Sequence, residues 1–378
     1  MLILAAILAI FVYGMIAAML GTILPDLSAR FHLTPKQNGT IAFCQALGLI
    51  IASLSVGPLI DNEGKKVGML LGLTLITLAL VLLPKSTGYP TIAAYLFLLG
   101  IGGGIIVTAA NLLASDVSPE HRGTTLNLLN LFFGLGGLAT PFISANLLSR
   151  NAVRLCYLVA GLTFVTLIVN IATAMPQPTG ARSFVFSEVG DVLGRPTLWL
   201  LALFLFLYVA CEVGVWNWLV QHLVAQGIPE SRSLNILSLG FAFGMLVGRV
   251  GVSQVLKSVT SLTVTLAASI LMVITTYLML RTKDPTVAGI LVFLAGVAMA
   301  PVFPTTLAIV GDTFANKMTG TATGIVITSG WIGLAVSSRI IGSIAGGDPK
   351  RLKKALLVLP AMAMIMIAVN ITLQMAAK

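Results

Sequence analysis

The sequence predicts an all-α integral membrane protein with twelve transmembrane helices in two pseudo-symmetric six-helix bundles. Twelve long apolar stretches fill nearly all of its 378 residues. Each is close to the roughly 20 residues that a helix needs to cross the hydrocarbon core. Hydrophobic residues make up 57% of the chain and charged residues only 9%, less charge than a soluble domain carries. Backbone polar groups in lipid must bond within their own segment, so each stretch is expected to be a helix.

The longest polar stretch divides these spans into two sets of six. This stretch, residues 176–196, is rich in proline, glycine and charge, and is interpreted as a cytoplasmic linker between an N-terminal bundle, residues 1–175, and a C-terminal bundle, residues 197–378. The first span lacks a basic leader and a small-residue cleavage site, so it is expected to be retained. The predicted helices cover residues 2–24, 37–60, 67–84, 91–114, 123–148, 155–175, 197–222, 233–256, 261–281, 286–311, 319–345 and 353–376.

The two halves also resemble each other weakly in sequence. Counting from the start of the fifth and the eleventh predicted helix, Gly136 falls opposite Gly333 and Thr140 falls opposite Ser337. A duplicated six-helix unit is typical of transporters, whose substrate site lies near mid-membrane between the two repeats.

The net charge of +10 does not indicate a nucleic-acid-binding protein. The 22 Lys and Arg residues are scattered over short loops without a nucleic-acid motif, where we expect them to anchor helix ends at the membrane interfaces. Cys44, Cys156 and Cys211 lie in or beside apolar stretches and are expected to pack in the interior. The sequence contains no metal-ligand spacing and no convincing nucleophile–base pair, so it predicts neither an enzyme nor a cofactor.

The segment from residue 57 to residue 66, GPLIDNEGKK, follows the second predicted helix. It resembles the signature loop of the major facilitator superfamily, which implies the twelve-helix transporter fold of that family. The resemblance also implies that Gly57, Asp61, Gly64, Lys65 and Lys66 act as a conformational latch and not as a substrate contact. The alternative is an ordinary tight loop whose charges cap two helices.

A narrower resemblance links the chain to the fucose permease branch of sugar–proton symporters. The stretches TAAN at residues 108–111 and LNLLN at residues 126–130 are similar to motifs of that branch, as are FVYG at residues 11–14 and FPT at residues 303–305. The resemblance covers the N-terminal half well and the C-terminal half in patches. It implies sugar transport.

Two departures from that branch concern its acidic residues. The branch carries an acid immediately before TAAN, where this chain has Val107, and another four residues before the proline of the first helix, where it has Gly21. A carboxylate buried near mid-membrane takes up the coupling proton in the branch. The two departures therefore argue against proton coupling through the N-terminal half and against fucose as the substrate.

Glu212 is the one acidic residue that lies well inside a predicted span. An ionised carboxylate facing lipid costs several kcal/mol, so Glu212 is expected to face a cavity or a partner. Tyr208, Glu212 and Trp216 are spaced i, i+4, i+8 and share one helix face. Such a stripe suits a sugar, because the acid bonds hydroxyls while aromatic rings pack on the apolar face of a pyranose. Asn217 and Gln221 add donors and acceptors on the adjacent stripe.

The alternative role for Glu212 is a structural ion pair. Arg339, in the eleventh predicted helix, is expected at a similar depth and is the predicted partner, since buried charges are usually paired. The two roles of Glu212, as ligand or coupling site and as ion-pair partner, are compatible if the pair breaks during transport. Arg339 could otherwise extend to the interface, and Arg249 is interpreted as an interface anchor because it is nearer a helix end.

Three amides complete the predicted substrate site. Asn127 and Asn130 are three residues apart on one face and fall in the stretch that faces substrate in the resembled branch. Gln45, in the second predicted helix, is the third. Lone amides in a membrane often only bond a neighbouring helix, each for about 1 kcal/mol, and that is the competing interpretation for all three.

The distribution of basic residues conflicts with the topology that the resemblance implies. That topology places both termini and the loop at residues 61–66 in the cytoplasm, which leaves nine Lys and Arg residues inside and 13 outside, among them Lys350, Arg351, Lys353 and Lys354. The positive-inside rule predicts the opposite bias. Attraction of anionic solutes is one hypothesis for this outer basic cluster.

These observations predict a secondary transporter of a monosaccharide or similar small polar solute, working by alternating access as a monomer in a bacterial inner membrane. The first alternative is an efflux antiporter for drugs or amphiphiles, and the second is a membrane sensor that retains the scaffold. An apolar cavity would favour the antiporter. Proton symport, sodium symport and facilitated diffusion all stay open.

Overall fold

The computed structural model describes residues 2–117, 122–175, 193–256, 258–314, 319–346 and 348–376, and regular structure in these ranges is helical throughout. Ten helices of this described part are long and apolar enough to cross a membrane, and Leu131–Asn146 forms a shorter apolar helix. The first six helices are α1 (Leu2–Phe31), α2 (Pro35–Glu63), α3 (Lys65–Leu82), α4 (Tyr89–Val117), α5 (Arg122–Asn146) and α6 (Ala152–Ala172).

Three of the six helices in the second half contain an irregular turn. The regular helices are α7 (Pro196–Ala225), α9 (Ser261–Met279) and α11 (Thr319–Ala345). Helix α8 begins at Glu230–Asn235, widens to a π-helix over Ile236–Ala242 and ends as Phe243–Val255; α10 comprises Pro285–Met299 and Val302–Thr313; α12 comprises Leu352–Ala355 and Val358–Ala376. A π-helical turn is rare and is often found at functional sites.

The predicted spans agree with the observed helices to within a few residues, with one clear error. The sequence predicts that the first span ends at residue 24, but α1 continues through Pro25 to Phe31. Proline removes only the bond to the carbonyl four residues earlier, and the surrounding helices hold the last turns in place. Those turns carry Asp26, whose carboxylate accepts a hydrogen bond from the backbone N–H of Ala152 at 2.8 Å and so caps α6.

Successive helices run in opposite directions, so their connections gather at two ends of the molecule. The Leu33 end is defined here by residues 32–34, 83–88, 147–151, 226–229, 280–284, 346 and 348–351. The Gly64 end is defined by residues 64, 173–175 and 256–260, omitting residue 257, which the structure does not describe.

Two hydrophobic cores lie in the two halves of the chain. One is built from buried residues of α1 to α4 and α6, and the other from buried residues of α7 to α12 together with Ala18 of α1. Domain boundaries at residues 175 and 197 stay a prediction, and most of the predicted linker, residues 176–192, lies outside the described residues.

Equivalent glycines bring equivalent helices into backbone contact in the two halves. A Cβ atom on Gly48 of α2 would collide with the carbonyl oxygen of Phe97 on α4. In the second half, a Cβ atom on Gly244 of α8 would collide with the carbonyl oxygen of Phe293 on α10. Both members of the second pair lie 196 residues after their counterparts. Small residues let membrane helices pack backbone to backbone, so the same contact recurs in both repeats.

The sequence-based pairing of Gly136 with Gly333 is confirmed by the same kind of contact. A Cβ atom on Gly136 of α5 would collide with the carbonyl oxygen of Phe11 on α1. A Cβ atom on Gly333 of α11 would collide with the carbonyl oxygen of Phe206 on α7. The crossing of α1 with α5 is therefore the counterpart of the crossing of α7 with α11.

Replacing Gly136 or Gly333 by valine is expected to lower the stability of the protein by about 1–3 kcal/mol, because the new side chain would force two helix backbones apart. Gly161→Val is the matched control, since a Cβ atom on Gly161 of α6 meets nothing within 4 Å. Thermal unfolding in detergent measures the difference. An unfolding temperature for Gly136→Val or Gly333→Val equal to that of Gly161→Val would contradict the assignment.

Candidate functional site

In the part of the chain that the structure describes, three pairs of helices make most of the contacts between the two halves, and the first pair is α2 with α11. A Cβ atom on Gly39 would lie 2.8 Å from the Cα atom of Gly342, so the two backbones touch at this point. The backbone N–H of Lys36 donates to the carbonyl of Gly346 at 3.0 Å. Arg339 donates to the Thr40 hydroxyl and lies over the ring of Phe43, 5.9 Å from its centroid. All of these contacts are at the Leu33 end.

Helices α5 and α8 form the second contact between the halves, also at the Leu33 end. Asn146 and Asn235 form a reciprocal amide pair, with N···O distances of 2.7 Å and 3.3 Å. Arg150 and Glu230 form an ion pair at 3.7 Å. One turn into the π-helical segment, the Ser238 hydroxyl donates to the carbonyl of Leu138 at 2.7 Å.

The third contact joins α1 to α7 through a glycine. A Cβ atom on Gly21 would collide with the carbonyl oxygen of Trp216 and would lie 3.0 Å from the Cα atom of Asn217. Two turns closer to the Leu33 end, the Gln221 amide donates to the Ser28 hydroxyl at 3.3 Å. Together the three contacts seal the space between the halves from the Leu33 end.

A cavity lies between the halves, on the side of the Gly21 crossing that faces the Gly64 end. Four helices line it, two from each half: α1, α5, α7 and α8. The wall formed by α1 and α5 consists of small residues and one aromatic ring, whereas the wall formed by α7 and α8 is larger and includes the one charged residue of the lining that the structure describes, Arg249. The lining residues are Gly14, Ala17, Ala18, Phe133, Gly134, Gly137, Trp216, Ala242, Met245 and Arg249.

Trp216 packs against both halves, and Arg249 approaches the opposite half at Gly134. The Trp216 ring packs edge-on against Phe241, with centroids 5.1 Å apart, and its Cη2 atom would lie 3.2 Å from a Cβ atom on Gly137. The Nη1 atom of Arg249 would lie 3.7 Å from a Cβ atom on Gly134. Glycine at positions 134 and 137 therefore leaves the room that these two side chains occupy.

Glu212 lies beside this cavity and interacts electrostatically with Arg249. Its side chain is half-buried, and the Tyr208 hydroxyl and the Trp216 indole are both within reach of the carboxylate. Glu212 also interacts electrostatically with the hydroxyl group of Tyr13 on α1. The Tyr208 hydroxyl is buried without a well-aligned hydrogen bond in the described structure, so it borders the carboxylate but does not bind it with good geometry.

The structure assigns the two arginines different surroundings from those predicted. Arg339 contacts Thr40 and Phe43 in the seal at the Leu33 end, so the predicted pair with Glu212 is not what this conformation shows. Arg249, predicted to anchor an interface, faces the cavity and is the arginine that interacts with Glu212. The error arises because sequence position gives the depth of a residue in the membrane but not the direction in which its helix turns it.

The other predicted site residues lie at different distances from the cavity. Trp216 lines it, whereas Tyr208 is fully buried behind Glu212. Asn217 is buried at the crossing with Gly21. Gln45 lies on α2, outside the four lining helices, and its carbonyl oxygen packs against Gly100 of α4. The side chains of Asn127 and Asn130 lie outside the described part of the structure.

The predicted latch loop is a single-residue turn between α2 and α3. Gly64 has φ 89°, a conformation that favours glycine, and its N–H donates to the carbonyl of Ile60. Lys66 donates to the carbonyl of Ile171 at 2.8 Å, which places a cation at the C-terminus of α6. The surroundings of Gly57 and the side chain of Asp61 are outside the described part of the structure, and Lys65 has an interaction of its own, so the latch role stays a prediction.

The two positions at which the acids of the resembled branch are missing have structural roles here. Gly21 is the crossing of α1 with α7 and leaves no room for a side chain. The carbonyl of Val107 accepts a hydrogen bond from the Asn111 amide at 2.7 Å, within α4. Among the described residues, the charged side chains beside the cavity, Glu212 and Arg249, therefore both belong to the C-terminal half.

The family of the chain follows from the match of its sequence to a family profile. The sequence profile described as Major Facilitator Superfamily matches residues 6–338. The chain belongs to the Major Facilitator Superfamily. The members of this family are multi-pass membrane transporters and not enzymes.

Relatives within the superfamily carry different solutes. The glucose/galactose transporter of Brucella abortus is 28% identical over 259 residues, which are 63% of this chain and 63% of that protein. The 4-hydroxybenzoate transporter PcaK of Pseudomonas aeruginosa is 28% identical over 193 residues, which are 50% of this chain and 42% of that protein. The match thus spans less than two thirds of the length of either relative.

Solved structures show the same fold at low identity. A point mutant of the nucleoside transporter NupG superposes with a TM-score of 0.84 at 10% identity, covering 99% of this chain and 100% of that chain. The D-xylose–proton symporter gives 0.79 at 14% identity, covering 98% and 96%. A point mutant of the E. coli fucose–proton symporter FucP gives 0.68 at 18% identity, covering 98% of each chain. The major facilitator fold, with two six-helix bundles, is confirmed.

Replacing Gly21 by valine is expected to open the seal at the Leu33 end, because its side chain would push α1 away from α7. A single cysteine at Ala17, in a background without the three native cysteines, would then react several-fold faster with a membrane-impermeant maleimide applied from the Leu33 side. Gly251→Val is the control, since a Cβ atom on Gly251 meets nothing within 4 Å. Equal labelling in the two variants would show that the crossing does not hold the seal.

Proposed function

We propose that this protein is a secondary transporter that carries a small polar solute through the cavity between α1, α5, α7 and α8 by alternating access. The observation that supports this most directly is that the cavity takes two of its lining helices from each half. Its closure at the Leu33 end depends on contacts between the halves, so rocking one half against the other would open that end.

The contacts of the seal suit a structure that opens and closes. An amide pair, an ion pair at 3.7 Å and one hydroxyl–carbonyl bond join α5 to α8. The amide pair and the ion pair lie near the Leu33 end, where water can replace them at small cost, whereas the Ser238 bond is buried closer to the cavity. The glycine contacts at Gly39 and Gly21 bury no large side chain, so separating them leaves little apolar surface to solvate.

A monosaccharide or similar polyhydroxylated solute is the first class to consider. The sequence resembles the fucose permease branch, and the glucose/galactose transporter of Brucella abortus is a relative. Trp216 lines the cavity with an aromatic ring of the kind that packs on a pyranose, and a carboxylate such as that of Glu212 beside it accepts hydrogen bonds from hydroxyl groups. Asn127, Asn130, Asn217 and Gln45 would have to approach in another conformation to contribute.

Glu212 is the proposed coupling residue of this transporter. It is an acid at mid-helix beside the cavity and interacts electrostatically with the lining residue Arg249, so binding of a solute can alter its surroundings. Proton symport uses such a carboxylate directly, and sodium symport or uniport would leave it as a ligand. We further propose that the protein works as a monomer in the inner membrane of a bacterium, with the Leu33 end outside.

The second candidate is an antiporter for amphiphilic compounds. It is favoured by the described lining, in which nine of ten residues are apolar or glycine. A cavity of this kind binds apolar surface well but offers few partners for hydroxyl groups. A solute in this cavity would therefore contact small apolar residues on one wall and Trp216 and Arg249 on the other.

Glu212→Gln is expected to abolish gradient-driven uptake if Glu212 carries the coupling proton. Uptake of labelled hexoses into proteoliposomes, with and without proton or sodium gradients, measures this for the wild type and the variant. Saturable uptake that is driven by a gradient and lost in the variant would support coupling through Glu212. Uptake that ignores both gradients would make the protein a uniporter, and failure to transport any hexose would remove the neutral-sugar assignment.

A further inference from the structure

Arg339 lies on the exposed face of the crossing between α2 and α11. Its guanidinium donates to the Thr40 hydroxyl and lies over the ring of Phe43, and its side chain is exposed. Among the residues that the structure describes, no carboxylate forms an ion pair with it. A charge on the lipid-facing side of a membrane helix is costly unless it has a partner or reaches the interface. A counter-charge for Arg339 would therefore have to come from outside the described protein.

The depth of this guanidinium matches that of lipid phosphates. Helices α2 and α11 contain 29 and 27 residues. Each is therefore about 40 Å long, so that about 5 Å at either end extends beyond the roughly 30 Å hydrocarbon core. Thr40 and Arg339 lie five and six residues from the ends of their helices, which is about 8–9 Å. The long side chain of an arginine spans the few ångströms that remain to the headgroup layer.

The exposed faces of the two helices change from polar to aliphatic towards mid-membrane. Along one face of α2, at positions i, i+4, i+7 and i+11, stand a cation, a hydroxyl, an aromatic ring and an aliphatic side chain: Lys36, Thr40, Phe43 and Leu47. On α11, Ile332 lies two turns below Arg339 on the same face, and both side chains are exposed. A phospholipid has the same order of groups, with the phosphate at the surface and the acyl chains beneath it.

The surface next to this groove is basic. The loops and adjoining helix turns of the Leu33 end carry 13 Lys and Arg residues against four Asp and Glu residues. In the described structure, Arg150 is the one cation among them that forms an ion pair, with Glu230. The bond from the N–H of Lys36 to Gly346 places the start of α2 beside the connection between α11 and α12. That connection and the first turn of α12 carry four exposed cations, Lys350, Arg351, Lys353 and Lys354. Such a cluster attracts anionic headgroups.

We propose that the groove between α2 and α11 at the Leu33 end binds one anionic phospholipid, whose phosphate is held by Arg339 and Lys36. Its acyl chains lie along the aliphatic side chains of Leu47 and Ile332. A guanidinium presents five N–H donors in a planar fork that matches a phosphate, and the bond to Thr40 occupies one of them. A headgroup with a net negative charge is preferred to a zwitterionic one, because the basic cluster repels a terminal ammonium group. The site involves no transported solute.

The bound lipid would stabilise the seal at the Leu33 end. Arg339 belongs to the C-terminal half, whereas Lys36 and Thr40 belong to the N-terminal half, so one phosphate bridges the two halves where they touch. A ligand that binds one conformation more tightly shifts the population towards it. Separation of α2 from α11 would divide the site between the halves, so the anionic lipid favours the closed seal. The same binding gives the basic residues of this end a function that the positive-inside rule does not supply.

Binding is tested by thermal unfolding of the full chain in detergent, titrated with phosphatidylglycerol, phosphatidylcholine or inorganic phosphate. Phosphatidylglycerol is expected to raise the unfolding temperature in a saturable manner, and the other two are not. Equal stabilisation by phosphatidylcholine would overturn the preference for an anionic headgroup. Equal stabilisation by inorganic phosphate would show that the site binds a soluble anion and would overturn the lipid as its occupant.

Two arginines of the Leu33 end allow a matched comparison. Arg339→Gln should weaken the apparent affinity for phosphatidylglycerol by about tenfold or more, as expected for loss of a charged hydrogen bond. Arg281→Gln is the control, because Arg281 is also exposed over an aromatic ring, that of Tyr277, but both residues lie in the C-terminal half. Lys36→Gln and Arg339→Lys guard against a folding defect, and both should bind more tightly than Arg339→Gln. Equal weakening in Arg281→Gln and Arg339→Gln would indicate attraction to the whole surface and would overturn the site.

The effect on the seal is measured by double electron–electron resonance between spin labels at Leu147 and Ala225. Both positions are exposed at the Leu33 end, one in each half, and the three native cysteines are replaced. In nanodiscs, exchange of phosphatidylcholine for phosphatidylglycerol should shift the distances towards the shorter, closed separation. Arg281→Gln should retain this response and Arg339→Gln should lose it. The same distances in both lipids would overturn the effect on the seal. Neither measurement requires transport, so failure of the proposed function would be a separate outcome.

Discussion

Backbone contact between helices at glycine is the constraint on which this structure depends. Helices in lipid gain little from burying apolar side chains against one another, because the lipid is equally apolar, so close packing must hold them together. Gly48 and Gly136 provide such contacts in the N-terminal half, and Gly244 and Gly333 provide the equivalent contacts in the other. A glycine contact of the same kind joins the two halves at Gly21, where α1 meets the backbone of α7. No large side chain has to move out of this contact when the halves separate.

This packing determines which residue types line the cavity. Where α1 and α5 approach α7 and α8, the N-terminal half contributes mainly glycine and alanine, so the larger side chains must come from the C-terminal half. A charge placed there is costly without an opposite charge nearby, and Arg249 and Glu212 interact electrostatically across α7 and α8. The packing of small residues on α1 and α5 therefore leaves both of these ionisable groups on the C-terminal half.

The sequence predicts the helices well and the site in part, and each outcome has a physical cause. Apolar length determines where a helix lies, so the error at the end of α1 concerns only turns that tertiary contacts such as Asp26 with Ala152 maintain. The cost of a buried charge singles out Glu212. Its partner is not predictable, because the rotation of α8, which contains a π-helical turn, decides that Arg249 faces the cavity. The one signal in the sequence is a lone arginine within an apolar run.

The loss of an acid at position 21 and the charge pair on the other half belong together. In the resembled branch an acid on the first helix can serve the coupling proton, but here that position is a backbone contact that admits no side chain. A tight closure on α1 and a titratable group at the same point exclude each other. Under the proposed function, a coupling group would then have to lie elsewhere along the cavity. Glu212, on α7 beside the lining residue Trp216, meets this requirement without interrupting the contact that closes the Leu33 end.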